Sequence, residues 1–365
     1  MTPEISALIP QAPNIPGPPE LMATLLFLTF VLHILMVNAV LGTVLITLFN
    51  LFRDPQELEI GRKPATVLPK GMALLVNLAI PPLLFIQALL GSYFYSASML
   101  TALFWLAVPF IAMLAYYGLY IYVSPMEIGV GTRRFVLSLV ALLLLFNSFL
   151  LVNNVLITQS PHLWTAYAQK AGGILINWGD PQIWPRWLHI VLSCLAVGGL
   201  SIALPAWLKL RNLARSDAPL PKQQIWLRRM QNGYYWFIGA TLAQIPVGHW
   251  FLYSLPPHQL AIFRGADILG TGLLVTSFVL TGAALLAAVR RMIGFTVGLT
   301  VATVLCMVAM RTMLRVSFLE PYGPGGTFGP AGGPIWLFLG AALVTGVVVY
   351  RMCRAYRNAQ AKEAV

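Results

Sequence analysis

Nine apolar runs, each of about 20 residues or more, alternate with short polar segments along this chain. A run of this length crosses the hydrocarbon core of a bilayer as one helix. Apolar residues make up 58% of the chain and charged residues 9%, which excludes a water-soluble globule. The sequence therefore predicts an all-α integral membrane protein with nine transmembrane helices. The runs cover roughly 22–51, 68–95, 101–124, 135–157, 187–209, 232–254, 267–289, 292–314 and 334–352.

The net charge of +12 lies in alternate loops, which argues against a basic surface for nucleic acid. Basic residues follow every odd-numbered run, as Arg133 and Arg134 follow the third and Arg290 and Arg291 the seventh. Because loops rich in Lys and Arg stay in the cytoplasm, this pattern predicts an external N-terminus and a cytoplasmic C-terminus. We expect a multi-pass protein of the bacterial inner membrane.

The chain is predicted to form a single membrane domain with two short tails. Residues 1–21 are expected to be an external tail, since they contain no Lys or Arg and are rich in proline, unlike a signal peptide. Residues 22–357 form the nine-helix domain, and residues 358–365 form a cytoplasmic tail. The three cysteines are scattered and no CxxCH motif occurs, so this chain carries no covalently attached haem.

Two histidines lie inside apolar runs, His33 in LFLTFVLHILMVNAVLGTVL and His189 in PRWLHIVLSCLAVGGL. An unsatisfied polar group in hydrocarbon costs several kcal/mol, so each imidazole requires a hydrogen bond or a metal. Haem iron is the predicted partner, and a hydrogen bond to a neighbouring helix is the alternative. In the predicted topology His189 lies within about one helical turn of the outer surface. His249 reaches the same level, whereas His33 lies nearer the middle.

Positively charged and thioether side chains near the end of the eighth run extend this prediction. Arg311 and Arg315 are natural partners for haem propionates, because a guanidinium group matches a carboxylate and stays charged when partly desolvated. The alternative is that both arginines extend to the membrane interface. Met310 could ligate haem iron, although most methionines in such runs serve packing.

Polar groups of the sixth and eighth runs and of the loops that follow them form a candidate quinone site. An amide within the membrane can bind helices together or hydrogen-bond a quinone, and the structural role is the commoner one. A site near the charged residues and the histidine could accept the protons that quinol releases at the outer face, through its carboxylates and its imidazole. The candidates are Gln244, His249, Arg264, Asp267 and Glu320.

The order of these motifs resembles subunit I of the cytochrome bd quinol oxidases over about residues 22–272. The resemblance is carried by His33 and by NLAIPPLLFIQALLGSYFYS, NSFLLVNNVLITQSP and DPQIWPRWLHIVLSCLAVGGLSIALPAWLKLR in the second, fourth and fifth runs. A weaker similarity continues through GHWFLYSLPPHQLAIFRGAD. The resemblance implies nine spans, an external N-terminus and haems toward the outer face. It also implies that His189 binds a low-spin haem b and that His33 binds a second, deeper haem.

The chain departs from that family at the positions where oxygen chemistry requires acids. Phe85, Ile86 and Gln87 stand where the family's second span carries a glutamate, and the eighth and ninth runs contain no acid. The family's low-spin haem methionine has no counterpart near Ile268, so His249 is the preferred second axial ligand, ahead of Met310. Oxygen reduction needs protons that buried carboxylates usually deliver. We therefore expect no oxygen reduction.

The resulting hypothesis is a haem b subunit, with one or two haems, that moves electrons between the quinol pool and a partner. That partner is a c-type cytochrome or an iron–sulfur protein on the outer side, within a complex that contains other membrane subunits. One alternative is a divergent terminal quinol oxidase subunit I. Another is a transporter or a haem-free membrane anchor or scaffold of a redox complex; the spans show no obvious inverted repeat.

Overall fold

A computed structural model describes residues 14–53, 66–126, 128–168, 172–215, 219–323, 327–329 and 333–363. Within these ranges nine long helices follow the nine apolar runs in order. Residues 1–13 of the predicted external tail and residues 364–365 of the predicted cytoplasmic tail lie outside the described part. The helices are α1 (Pro19–Arg53), α2 (Val67–Leu100), α3 (Ala102–Val123), α4 (Val130–Thr158), α5 (Ile183–Arg215), α6 (Leu220–Tyr253), α7 (Ile268–Val289), α8 (Ile293–Leu319) and α9 (Gly333–Glu363).

Seven of these helices are long and apolar enough to cross a membrane: α1 to α5, α7 and α8. The protein is therefore an all-helical, multi-pass membrane protein, and its surroundings are a lipid bilayer. The helix α6 differs because its first half carries Arg228, Arg229 and Asn232. In α9 the described side chains give an apolar stretch over Leu339–Met352.

Short elements join the long helices on the side where α4, α6 and α8 end. A 3-10 helix, Pro161–Ala168, follows α4, and a helical turn, Pro257–Ala261, follows α6. Strand β1 (Asn14–Pro16), just before α1, pairs in parallel with strand β2 (Thr327–Gly329), which lies between α8 and α9. This pairing brings the segment before α1 to the connection after α8.

Small residues let α5 pack closely against helices on two sides. A Cβ atom added to Gly198 would lie 2.6 Å from Gly42 Cα on α1. A Cβ atom added to Gly199 would lie 2.5 Å from the Gly233 carbonyl oxygen on α6. Close approach of backbones at small residues is a principal source of helix association in lipid, where burial of apolar surface gives little advantage. The adjacent glycines of the AVGGL segment thus make α5 the centre of the bundle.

Polar side chains fix the register between α1 and α5. The Asn38 side-chain amide donates to Ser193 Oγ at 3.0 Å, and Asn38 Oδ1 accepts from Cys194 Sγ at 3.2 Å. Gly42, one turn further along α1, lies against Cys194 and Gly198. These contacts join positions 155 or 156 residues apart in the chain, so α1 and α5 run in parallel with that offset.

Arg133 serves the connection between α3 and α4. Its buried guanidinium donates to the carbonyl oxygens of Ser124 at 3.0 Å and Met126 at 2.8 Å, and it also binds the Tyr122 and Ile128 carbonyls. Orphan carbonyls at a helix end need donors, and one guanidinium supplies several. The sequence pattern predicted only that Arg133 marks the cytoplasmic side; the structure adds that it closes this turn.

Candidate functional site

His189 lies on the first two turns of α5, with its ring against α6. The ring of Phe251 is 6.4 Å away between centroids, and Gly248 leaves space beside the imidazole, since a Cβ there would meet its Cε1 at 3.4 Å. The Nδ1 atom of His189 is shielded from solvent and has no hydrogen-bond partner. A buried polar atom left in this state is costly, so the His189 imidazole is incompletely satisfied by the described residues.

His33 lies on α1 and forms a hydrogen bond with the backbone of Leu75 on α2, which is the alternative to haem that the sequence left open. Its Nδ1 atom is likewise enclosed and has no hydrogen-bond partner. Asn38, the polar residue of the first run that might have satisfied it, is instead bonded to Ser193 and Cys194 on α5. His33 thus has a hydrogen bond to a neighbouring helix, while its Nδ1 atom has no partner.

The two histidines lie at the same level of the bundle. They are 156 positions apart, which is the offset that Asn38 and Cys194 define for the parallel pair α1 and α5. The sequence predicted that His33 lies deeper, because it counted residues from the start of each run. The structure corrects this, since α1 extends further than α5 beyond the level of the histidines.

The level predicted for His249 agrees with the register of α5 and α6, because the preceding residue, Gly248, lies against His189. The two histidines nevertheless occupy different faces. His249 is exposed and stacks on Tyr253, with 4.6 Å between ring centroids. It is thus Gly248, not His249, that borders the His189 ring.

Only part of the predicted quinone site comes together. Tyr253 links two of its members, because the Arg264 guanidinium lies 5.9 Å above the same ring that stacks on His249. Asp267 caps the N-terminus of α7, accepting a hydrogen bond from the Gly270 amide at 2.6 Å. A side-chain oxygen at this position is a common way to satisfy the first turn of a helix.

The two remaining members of that site make no recorded contact with the Tyr253 ring. Gln244 is half-buried on α6, more than two turns before Tyr253. Glu320 is exposed at the end of α8, in the 3-10 turn Glu320–Tyr322. The exposed surface that His249, Tyr253 and Arg264 form is called the outer aromatic surface below.

Arg311 and Arg315 lie one turn apart on α8, next to a third arginine that the sequence analysis did not single out. Arg315 is 8% exposed, and the Arg311 guanidinium lies 4.1 Å from the centre of the Phe30 ring on α1. Arg186 on α5 lies 5.2 Å above the Phe251 ring, and its charge acts on Arg311. Arg186 precedes His189 by three residues, the spacing that puts two side chains on one helix face, and that spacing was the available signal.

Met310 is partly buried in an apolar cluster that includes Phe251, Leu255 and Leu314. Phe251, which borders His189, packs against the same cluster. The cluster thus lies between Met310 and the surroundings of His189.

Several polar residues of the spans serve structure. Asn153 donates to the Leu175 carbonyl at 2.9 Å and accepts from the Asn177 amide, and Asn154 donates to Thr101 at 3.0 Å. Trp164 is buried and donates to the Ile157 carbonyl at 3.1 Å. These groups fasten the end of α4 and carry no chemistry.

Among the described residues, no group of three or more His, Cys, Asp and Glu side chains could hold a bare metal ion. A groove of about 430 Å³ opens between α1, α5 and α6, and it is lined by apolar residues with Arg53 and Asn232. None of the predicted site residues lines this groove. The site must therefore be judged from the two histidines and the arginines.

Comparisons with known proteins leave this judgement to the residues themselves. No protein-family model matches the chain, and no curated protein matches it.

Proposed function

We propose that this chain is a haem b-binding membrane subunit that transfers electrons between a quinol pool and an external redox partner. The observation that carries the proposal is the His189 imidazole, whose enclosed Nδ1 has no hydrogen-bond partner. Haem b fits these residues, because an imidazole inside an apolar bundle is a common haem ligand and nearby arginines can hold the propionates. The resemblance to cytochrome bd subunit I supports the same role for His189.

Each residue of the site has a distinct task in this proposal. His189 would hold the iron, and Met310 could supply a second ligand, because it packs against the same apolar cluster as Phe251, which borders His189. Arg311 and Arg315 would hold the propionates. Haem b, when bound, supplies a one-electron carrier that this all-helical chain otherwise lacks. Electron paramagnetic resonance distinguishes the proposed His/Met pair from a bis-imidazole pair such as His189 with His249.

Quinol is assigned to the outer aromatic surface. His249 is exposed and can accept a proton from a quinol hydroxyl and release it to water, while the Tyr253 ring offers a stacking partner. The Arg264 guanidinium over that ring can donate to the quinol oxygen. A base on this surface cannot also be an axial ligand, so the exposed position of His249 favours the proton-accepting role.

Oxygen reduction is excluded from the proposal. The chain has no acid deep inside its apolar runs, and no described carboxylate acts electrostatically on His33 or His189. A cyanide-sensitive oxygen uptake by the native complex, with no other oxidase subunit present, would restore the terminal oxidase alternative. We expect quinol to reduce the protein and a c-type cytochrome or an iron–sulfur protein to reoxidise it.

We further propose that all nine helices cross the bacterial inner membrane, with the N-terminus outside. In this arrangement α6 and α9 cross the membrane in addition to the seven apolar helices. The basic residues after every odd-numbered helix support this orientation. Single cysteines introduced at Glu320 and at Arg228, in the native cell, should label from the outside and from the cytoplasm respectively. The reverse labelling would refute the orientation.

The central test is the reduced-minus-oxidised spectrum of the purified protein and of His189→Ala. We expect a low-spin haem b signal in the native chain and its loss in the variant. His162→Ala is the matched control, since His162 is exposed in the 3-10 helix Pro161–Ala168. A native protein without haem would refute the proposal and favour the haem-free scaffold. An unchanged spectrum in His189→Ala would show that another residue ligates the haem iron.

A further inference from the structure

Three arginine side chains from two helices lie near one another, and one of them, Arg186, precedes His189 by one turn of α5. Arg311 and Arg315 come from α8 and Arg186 from α5, and the like charges of Arg186 and Arg315 both act on Arg311. The register agrees with this proximity, because Phe30, which lies under Arg311, is 156 positions before Arg186. The three residues are called the arginine cluster below.

The arginine cluster is incompletely satisfied within the described part of the chain. Arg186 donates to Gln159 at 3.1 Å and to Gln182 at 2.7 Å, but both acceptors are neutral, and its enclosed Nε has no partner. The Nη1 atom of buried Arg315 also has no partner.

Carboxylates do not neutralise the cluster. Asp180 acts on Arg186 electrostatically, but its oxygens already accept from the Asn177 side chain at 3.3 Å and the Gln182 amide at 2.8 Å. No described carboxylate forms an ion pair with Arg186, Arg311 or Arg315. Like charges withdrawn from water without counter-charges are strongly unfavourable, so a bound anion would stabilise the cluster.

We propose that Arg186, Arg311 and Arg315 form one site for the two propionate carboxylates of the haem bound to His189. This inference rests on the proposed haem ligation. Arg186 and His189 are three residues apart on α5, and the Phe251 ring lies beside both. One helix thereby presents the iron ligand and a propionate donor, while α8 presents the other two arginines. Several guanidinium groups suit this ligand, because each matches the planar geometry of a carboxylate.

Haem b and its dimethyl ester separate this inference from the ligation itself, because the ester keeps the iron and lacks the carboxylates. The full chain, purified in detergent from cells unable to make haem, is titrated with each compound and the absorbance is followed. We expect the native chain to prefer haem over the ester at least tenfold. Arg186→Gln and Arg315→Gln should lose most of this preference, while Arg315→Lys should keep part of it. Arg228→Gln, an exposed arginine on α6, is the matched control.

The outcomes distinguish the two proposals. Equal affinity of the native chain for haem and its ester, abolished in His189→Ala, would overturn the arginine site and leave the haem function standing. Binding of neither compound would overturn both. Phospholipid is the other source of an oxyanion, and native mass spectrometry detects it. A retained phospholipid that Arg315→Gln releases, with the haem preference unchanged, would overturn the propionate assignment. If Arg186→Gln fails to fold, Arg315→Gln and Arg315→Lys still decide the result.

Discussion

Asn38 on α1 donates a hydrogen bond of 3.0 Å to Ser193 on α5. With the neighbouring Cys194 contact, it sets the parallel register of the two helices and brings His33 level with His189. In lipid an amide cannot exchange its helix partner for water, so a single polar pair can hold a register.

A double-mutant cycle measures this polar pair. Asn38→Ala, Ser193→Ala and the double variant should show a coupling free energy of about 0.6 kcal/mol, the usual size for such bonds in membranes. Unfolding in mixed micelles gives the values. Ser201→Ala is the control on the same helix, because Ser201 bonds only to the Val197 carbonyl of its own helix. A coupling free energy between Asn38 and Ser201 as large as that between Asn38 and Ser193 would contradict the hydrogen bond between Asn38 and Ser193.

The close crossing of α1 and α5 predicts that Gly198→Ala destabilises the bundle. The added Cβ would lie 2.6 Å from Gly42 Cα and 2.7 Å from the Thr43 amide nitrogen, so the helices must separate. Overpacking of this kind costs about 1–3 kcal/mol. Thermal unfolding in detergent is the measurement. Gly239→Ala on α6, where an added Cβ meets nothing within 4 Å, should be neutral or slightly stabilising. Equal behaviour of the two variants would refute the crossing.

Arg133→Ala should loosen the connection between α3 and α4. The variant removes hydrogen bonds to four carbonyl groups, including those of Ser124 and Met126, and should cost on the order of 3 kcal/mol. Limited proteolysis should cut this connection faster in the variant. Arg228→Ala, which removes an exposed arginine, should leave the cleavage rate unchanged. Resistance of Arg133→Ala to the protease would show that the turn closes without it.

His33→Ala should remove a second haem. The enclosed Nδ1 of His33 has no partner, and Asn38 cannot provide one because its amide bonds to α5. Pyridine haemochrome quantification should give two haems per native chain and one in His33→Ala. A native chain with one haem, lost in His189→Ala and retained in His33→Ala, would leave His33 with a structural role.

His249→Ala should slow quinol oxidation without loss of haem. The exposed imidazole on the outer aromatic surface is the proposed base, and removal of a general base typically costs about 10²-fold or more in rate. Stopped-flow reduction of the haem by a quinol analogue measures the rate. His258→Ala, in the neighbouring turn Pro257–Ala261, is the control. A simultaneous loss of the haem signal in His249→Ala would instead support His249 as an axial ligand.

Much of the architecture could be predicted because hydrocarbon imposes strict rules. Every backbone polar group must be satisfied within its own segment, so apolar runs become helices, and their lengths can be read from the residues. The histidines of α1 and α5 were recognised for the same reason, since few polar groups occur there without a partner. Asp267 was recognised as polar but assigned to quinone, although its position before the first residue of α7 is typical of an N-cap.

What the sequence determined by itself is therefore a helical membrane protein with His33 and His189 inside its apolar runs. The tertiary structure decided how those helices face one another, because the contacts of Asn38 with Ser193 and of Gly198 with Gly42 join positions far apart in the chain. Counting residues from the start of each run predicted that His33 lies deeper in the membrane than His189. The offset between α1 and α5 corrected this prediction. The same offset places Arg186 level with Phe30, which the Arg311 guanidinium of α8 contacts. The periodicity of a single helix does not encode which helices pack against one another.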